Sequence, residues 1–105
     1  MHIPRTSRIR LFIPIEPPRG VTDWFRYPAF AALVPDIEGA EPDAGDYYPA
    51  VWIGKEVTLL PPGGGEWGDD FPDGDYMAWA MIDAAPDERP VLRSGRVRIG
   101  GPGGP

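Results

Sequence analysis

The sequence predicts an all-β domain, an immunoglobulin-like antiparallel β-sandwich of about six or seven strands. Short runs of alternating apolar side chains recur at roughly 8–12-residue spacing between Pro- and Gly-rich turns, and no segment has a convincing helical period. Residues 75–82 alternate most clearly, which predicts a strand packed on both faces. Gly74 and Tyr76 begin that strand. This Gly-x-Tyr pattern is typical of a tyrosine corner, in which the hydroxyl bonds to upstream backbone.

The first predicted strand covers residues 8–15. Its side chains alternate, with Ile9, Leu11, Ile13 and Ile15 inward and Arg8, Arg10 and Phe12 outward. Pro14 has no backbone N–H to donate to a neighbouring strand, so we expect this strand to lie at a sheet edge or to end its pairing there.

Residues 24–34 are the most ambiguous segment. Their Ala and Leu content would suit a short helix, but Pro28 lies in the middle and opposes one. Apolar residues alternate here at Phe25, Tyr27, Ala29, Ala31 and Leu33. We therefore predict an interrupted strand.

A hairpin is predicted next, with strands at residues 47–53 and 56–60. Gly54-Lys55 connects them, because glycine supplies the positive φ of a two-residue turn. Residues 66–70 are predicted to form a short strand or a loop.

The last hairpin joins residues 75–82 to residues 91–99 through a polar loop. On its second strand Val97 and Ile99 alternate with two arginines, which predicts one buried and one solvent-facing side. This hairpin closes the predicted sandwich.

One domain is expected from the 105 residues. We predict a flexible N-terminal arm at residues 1–7, the sandwich at residues 8–99, and a flexible Gly/Pro tail at residues 100–105. There is no cysteine, which excludes disulfides and thiolate metal sites. No apolar run approaches the ~20 residues of a membrane span, so no membrane partner is expected.

The net charge of −6 is unevenly distributed. Residues 1–30 carry five arginines and two acids, residues 31–90 carry two basic residues and fourteen acids, and residues 91–105 carry three arginines. The simplest interpretation is solvated faces that keep the protein soluble. A sharper one is a basic edge that docks on an acidic partner, since terminal strands of such sandwiches are often neighbours. Its residues would be Arg8, Arg10, Arg96 and Arg98. The protein is too acidic to suggest a nucleic-acid partner.

No catalytic constellation is found. A serine nucleophile needs a base, yet the one histidine is His2, beside the initiator methionine, and the serines are Ser7 and Ser94. Three glycines at residues 63–65 are followed by Glu66 rather than by Lys and Ser or Thr, so no phosphate-binding loop is predicted. We expect a protein that is not an enzyme and needs no cofactor.

The acidic turn at residues 66–75 invites a calcium interpretation, because carboxylates at alternate positions can wrap a hard cation. The helix–loop–helix calcium pattern, started at Asp69, needs oxygen ligands where Phe71 and Ala80 stand. Solvated turn acids are the better interpretation, and an irregular cation site stays open.

Aromatic residues divide into two groups by their position. Trp52 and Trp79 lie within predicted strands and are expected in the core, where they join Gly74 and Tyr76 as structural residues. Trp24 and Trp67 lie beside loops and are predicted to anchor an interface. The full set of predicted aromatic anchors is Trp24, Phe25, Trp67 and Phe71.

Five stretches together resemble small virion proteins of tailed phages of actinobacteria. They are AVW at residues 50–52, VTLLPPGG at 57–64, GDYMAWAMID at 74–83, PDERPV at 86–91 and GRVRI at 95–99. The likeness spans about residues 9–99 and depends mostly on the last two strands. It departs from the family pattern at Asp87, which is inserted between Pro86 and Glu88, and at Asp23-Trp24, which replaces an apolar strand start.

The resemblance implies an immunoglobulin-like sandwich similar to the amino-terminal domain of baseplate upper proteins, present in many copies on the virion. The function expected from it is a non-enzymatic structural protein, a head-associated decoration, fibre or connector domain, with capsid or tail proteins or further copies of itself as partners. Two alternatives remain open. One is a tail or baseplate domain, and the other is a soluble module that recognises a carbohydrate or a protein through its acidic loops.

Overall fold

The computed structural model describes residues 1–16, 24–83 and 89–100. Its seven strands are β1 (His2–Ile3), β2 (Leu11–Ile13), β3 (Ala29–Pro35), β4 (Tyr48–Ile53), β5 (Glu56–Leu59), β6 (Gly74–Ile82) and β7 (Val91–Ile99). One short helix, α1 (Trp67–Asp70), precedes β6. Single 3-10 turns lie at Trp24–Arg26, Ala44–Asp46 and Pro62–Gly64.

The strands form one sheet in the order β1-β7-β6-β3-β4-β5-β2, curled into a half-barrel. Every pairing is antiparallel except that of β1 with β7. Strand β4 pairs with both β3 and β5, so it belongs to both layers. The layer β7-β6-β3 and the layer β5-β2 have the connectivity of the two sheets of an immunoglobulin-like domain. The predicted all-β, sandwich-like fold is therefore confirmed, with one parallel pair that was not expected.

The alternation predicted for β6 organises the core. Tyr76, Ala78, Ala80 and Ile82 are buried, while Met77, Trp79 and Met81 are half-buried on the outer face. In register with them, β3 places Ala31 opposite Ala80 and Leu33 opposite Ala78. These small residues leave volume between the layers, which larger side chains fill in a single core cluster. The large members from outside this strand pair include Ile3, Leu11, Ile13, Val57, Leu59, Trp67 and Phe71.

A tyrosine corner closes the end of this core. The Tyr76 hydroxyl donates a hydrogen bond of 2.6 Å to the carbonyl oxygen of Pro72, four residues upstream. Its ring meets Phe71 edge-on, with centroids 5.6 Å apart, and Phe71 in turn lies 5.9 Å from Trp67. The contact that the Gly-x-Tyr pattern predicts thus links the start of β6 to α1.

The prediction of a flexible arm at residues 1–7 is wrong. Ile3 is fully buried, and β1 pairs in parallel with the end of β7. The Met1 carbonyl accepts the Arg98 N–H and the Ile3 carbonyl accepts the Gly100 N–H, both at 2.8 Å. Strand β1 is only two residues long and its partner lies at the other end of the chain. Local alternation therefore could not reveal it.

Strand β2 is shorter than predicted because ladder pairing covers only Leu11–Ile13. Both end residues of β2 face the core as expected, but Ile9, predicted inward, is 52% exposed. Its carbonyl instead accepts the Trp67 indole N–H at 2.8 Å. The chain before Leu11 is therefore held by a side chain rather than by a neighbouring strand.

The interrupted strand of residues 24–34 has a clear cause. A 3-10 turn occupies Trp24–Arg26, and the strand begins only at Ala29, just after Pro28. Ala29, Ala31 and Leu33 face the core as predicted, whereas Phe25 and Tyr27 are exposed in the turn region.

Three remaining predictions concern residues 66–70, the Gly/Pro tail and the last hairpin loop. Residues 66–70, predicted as strand or loop, contain α1 instead. Gly100, predicted to start the tail, is buried and bonded to β1, and residues 101–105 lie outside the described residues. Residues 84–88 of the last hairpin loop lie outside them as well.

Replacing Tyr76 by phenylalanine should lower the free energy of unfolding by about 1–2 kcal/mol, because the Pro72 carbonyl loses its donor. The urea midpoint of purified protein measures this loss. The matched control is Tyr27→Phe, at a tyrosine that is 38% exposed, which should change stability by less than about 0.5 kcal/mol. Equal losses in the two variants would contradict a structural role for the corner.

Ile3→Ala should cost about 2–4 kcal/mol of unfolding free energy, as expected when a fully buried isoleucine is truncated. Ile37→Ala serves as the control, because Ile37 is 67% exposed. Thermal and urea unfolding of both variants measure the two losses of unfolding free energy. An Ile3→Ala protein as stable as the wild type would show that the first residues are not part of the folded sheet.

Candidate docking face

Two of the predicted aromatic anchors are core residues. Trp67 is fully buried and Phe71 is 6% exposed. Helix α1 turns Trp67 inward, where its backbone N–H bonds to the Ser7 carbonyl and its indole N–H bonds to Ile9. The interface prediction is wrong for both residues, because a partner cannot reach them without unfolding the domain.

The other two anchors lie at the start of the 3-10 turn before β3. Phe25 is 40% exposed there. The backbone of Trp24 begins the turn, but its side chain lies outside the described residues. Phe25 is thus the one predicted aromatic anchor that the structure shows to be accessible.

The two tryptophans predicted in the core are half-buried. Trp52 packs against the core cluster and donates its indole N–H to the Tyr27 carbonyl at 2.8 Å. Trp79 lies on the outer face of β6, in register with Ala32 of β3, so its prediction as a core residue is wrong. The period of two correctly predicted that Trp79 lies on the other face of β6 from Ala78 and Ala80. It could not show which of the two faces packs against the core.

The predicted basic edge is only partly available. Arg96 pairs with Asp36 at 3.0 Å, and Arg98 makes two hydrogen bonds of 2.7 and 3.0 Å with Asp75. Arg96 and Arg98 are therefore both paired within the chain. Strand β2 does approach β7, since the Ser94 hydroxyl donates to the Pro14 carbonyl, but β1 rather than β2 forms the ladder with β7.

An exposed apolar surface covers the outer side of β4, β5 and β2. Its central row is fixed by the strand register, in which Val51 lies opposite Thr58 and Thr58 opposite Phe12. We call this surface the docking face; its apolar members are Phe12, Pro49, Val51, Ile53 and Leu60. The fractional exposures of Val51 and Phe12 are 57% and 43%, high for valine and phenylalanine in strands.

A single arginine is fixed at the centre of the docking face. The Thr58 hydroxyl is fully buried, donates to the Val51 carbonyl at 2.7 Å and accepts an N–H of Arg10 at 2.9 Å. No carboxylate pairs with Arg10 among the residues that the structure describes. The face therefore presents a positioned cation among mainly apolar side chains, with the exposed carboxylate of Glu56 at one end, opposite Ile53.

Sequence reasoning had assigned Phe12 and Arg10 outward positions but did not identify this face. The signal was present in β4, which reads YPAVWI and has no charged side chain on either side. A half-buried strand ordinarily alternates apolar with polar residues, so an apolar outer side indicates either a second covering layer or an exposed contact surface.

Three carboxylates of the acidic turn have partners within the fold. Asp69 accepts the Glu66 backbone N–H at 2.8 Å, Asp73 lies 3.6 Å from Arg5, and Asp75 binds Arg98. Across residues 1–16, 24–83 and 89–100, no three His, Asp or Glu side chains come together as candidate metal ligands. In the same ranges no helix is long and apolar enough to cross a membrane.

The hydrogen bonds from Arg98 hold the pKa of Asp75 below its ordinary value. A lowered carboxyl pKa in the folded state stabilises the protein above the ordinary pKa of about 3.9 and loses that effect as pH falls through the lower folded value. The pairing should therefore stabilise the protein at neutral pH and not in strong acid.

We expect the melting temperature of the wild type to exceed that of Asp75→Asn at neutral pH, and the difference to shrink as pH falls below about 4. Thermal unfolding monitored by circular dichroism across this range measures it. Asp70→Asn is the control, since Asp70 is exposed and has no ion pair in the described part of the chain. A difference for Asp75→Asn that is constant with pH would contradict the assignment.

No protein-family model, no curated protein and no solved structure matches this chain.

Proposed function

We propose that this protein is a non-enzymatic structural component of a tailed phage particle, a head-associated decoration, fibre or connector domain that docks in many copies on a multimeric partner. The observation that carries the docking role is the exposed apolar face of β4, β5 and β2 with Arg10 fixed at its centre. An apolar sheet face with a positioned charge supports a contact role for this surface.

The size of the docking face favours many copies over one tight contact. Three strands and about five residues of each give a face of roughly 14 Å by 17 Å, or about 240 Å². A stable pairwise interface needs about 800 Å² from each partner. One copy would therefore bind weakly through this face, and repeated display on a symmetric partner would supply the missing affinity through avidity.

Arg10 indicates the chemistry of the partner. Arg10 is half-buried and has no carboxylate partner in the described part of the chain, which favours a partner that brings one into an apolar setting, where the ion pair is less screened. The partner surface would thus be apolar with an acidic group at its centre. Of the predicted basic edge, the proposed contact uses Arg10. It does not use Arg96 and Arg98, which are already paired.

The virion as location is supported by the sequence resemblance, which spans most of the domain. The all-β, sandwich-like fold agrees with it, but a fold of this class hosts many functions. A tail or baseplate position would use the same docking face on a different multimeric partner, and particle composition distinguishes head from tail.

The test is quantitative mass spectrometry of particles purified from the phage whose genome encodes this chain. We expect the chain at a fixed, symmetric ratio to a major capsid or tail protein. In particles assembled with Val51→Glu, this ratio should fall at least tenfold, because a carboxylate is placed at the centre of an apolar contact.

The matched control is Val91→Glu, which places the same charge on a strand valine that is 46% exposed and lies outside the docking face. It should be incorporated like the wild type. Absence of the wild-type chain from particles, while it is abundant in the infected cell, would overturn the virion proposal. Equal loss of the two variants would overturn the assignment of the face.

A further inference from the structure

A second surface lies on the other layer of the sheet. The loop after β3 stands beside the outer side of β6 and β7 and forms an open groove of about 610 Å³. The floor of the groove is formed by Met77 and Trp79, one wall by residues 36–41 and the other by Arg93 and Arg96. We call it the acidic groove, after the three carboxylates of its loop wall, Asp36, Glu38 and Glu41.

The loop wall is fixed rather than loose. The Asp36 N–H donates to the Asp75 carbonyl at 2.9 Å, and the Ala40 N–H closes a turn on the Ile37 carbonyl at 3.0 Å. Gly39 has a φ of +81° in this turn, a value that the third position of a type II turn requires. The backbone that carries the carboxylates of the wall is therefore held in a defined conformation.

Charge in the groove is incompletely compensated. Asp36 is paired with Arg96, but Glu38 and Glu41 have no ion-pair partner among the described residues. Arg93, on the opposite wall, likewise has no ion-pair partner among the described residues. The groove thus offers two free carboxylates on the loop side of an apolar floor.

The floor carries an unsatisfied hydrogen-bond donor. The indole Nε1 of Trp79 is buried and has no acceptor in the part of the chain that the structure describes. Buried donors are almost always paired in folded proteins, and leaving one unpaired costs about 1–3 kcal/mol. This donor is closed off from solvent, so it is a cost within the fold and not a contact point for a partner.

A complementary surface exists elsewhere on the same chain. Arg8 is exposed and makes no ion pair or hydrogen bond with any described residue, and the neighbouring Ile9 is 52% exposed. The backbone on either side is pinned, because the carbonyls of Ser7 and Ile9 both accept N–H groups of Trp67. Arg8 and Ile9 thus project from a pre-organised segment, which lowers the entropy lost on binding.

We propose that the acidic groove of one copy receives Arg8 and Ile9 of a second copy. Arg8 meets Glu38 and Glu41 on the loop wall, and Ile9 packs on Met77 and Trp79. The occupant is a second copy because the chain itself carries the matching combination of an unpaired cation next to an exposed aliphatic side chain. This contact uses other residues than the docking face, although Arg8 and Ile9 directly precede Arg10 in the chain.

The two surfaces are different, so the contact is head-to-tail. Head-to-tail contacts build rings when the rotation closes and open rows when it does not. Because exposed ion pairs contribute little each, the association should be weak in solution and depend on salt. Copies held close together on a common partner would form it at their high local concentration.

The test uses two variants that each break one half of the contact. Arg8→Ala has an intact groove, and the double variant Glu38→Gln, Glu41→Gln has an intact Arg8 segment. Wild-type protein should show concentration-dependent NMR amide shifts at residues 8–9 and 36–41, reduced at high salt. Each variant alone should lose them, with association weakened about threefold to fivefold or more. When the two variants are mixed, shifts should return at residues 36–41 of Arg8→Ala and at residues 8–9 of the double variant. Sedimentation of the mixture should show nothing larger than a dimer, because each variant has one intact half of the contact.

Arg26→Ala is the control, because Arg26 is also exposed and unpaired within the described ranges. It should self-associate like the wild type. The proposal is overturned if the wild type shows no such shifts at its highest soluble concentration, if they map to the docking face, or if the mixture fails to regain them. These outcomes are separate from incorporation into particles, which depends on Val51.

Discussion

The small side chains between β3 and β6 are the constraint on which the rest of this structure depends. Ala31 faces Ala80, and Ala78 faces Leu33, so the central strand pair supplies little volume to the core. A core without that volume would contain voids, and each methyl-sized void costs about 1 kcal/mol. Large side chains from elsewhere have to fill the space, and this requirement decides the position of both the N-terminal segment and helix α1.

Trp67 is the largest of these fillers, and its burial explains several features at once. Placing an indole in the core requires an acceptor for its N–H, and the Ile9 carbonyl provides one. The same helix draws in the start of the chain, since the Gly68 N–H donates to the Arg5 carbonyl at 2.8 Å. Only glycine fits there, because a Cβ at Gly68 would lie 2.9 Å from that carbonyl oxygen. Residues 5–9 are thus held by the contacts that cover and satisfy Trp67, while residues 1–3 are held by pairing with β7.

Patterns that are local in sequence could be predicted, and patterns that depend on distant partners could not. Strands β6 and β7, the Gly54-Lys55 turn and the tyrosine corner are all specified within about ten residues, and all four are present. Strand β1, the inward turn of Trp67 and the outward face of Trp79 each depend on a segment far along the chain. Trp67 was therefore mistaken for a surface anchor, since a tryptophan beside loop residues looks the same whether the loop folds inward or outward.

Using the aromatic residues as core fillers leaves a different chemistry for the surface. Trp67 and Phe71 are unavailable to a partner, and the apolar members of the docking face are aliphatic apart from Phe12. Aliphatic faces lack the directional contacts of Trp and Tyr, and they give less affinity per residue than aromatic hot spots. Orientation on a partner would then depend on the few fixed charges, of which Arg10 is positioned by Thr58 and Val51 through two hydrogen bonds. A face that is weak but oriented is suited to repeated display, where the symmetry of the partner multiplies each small contact.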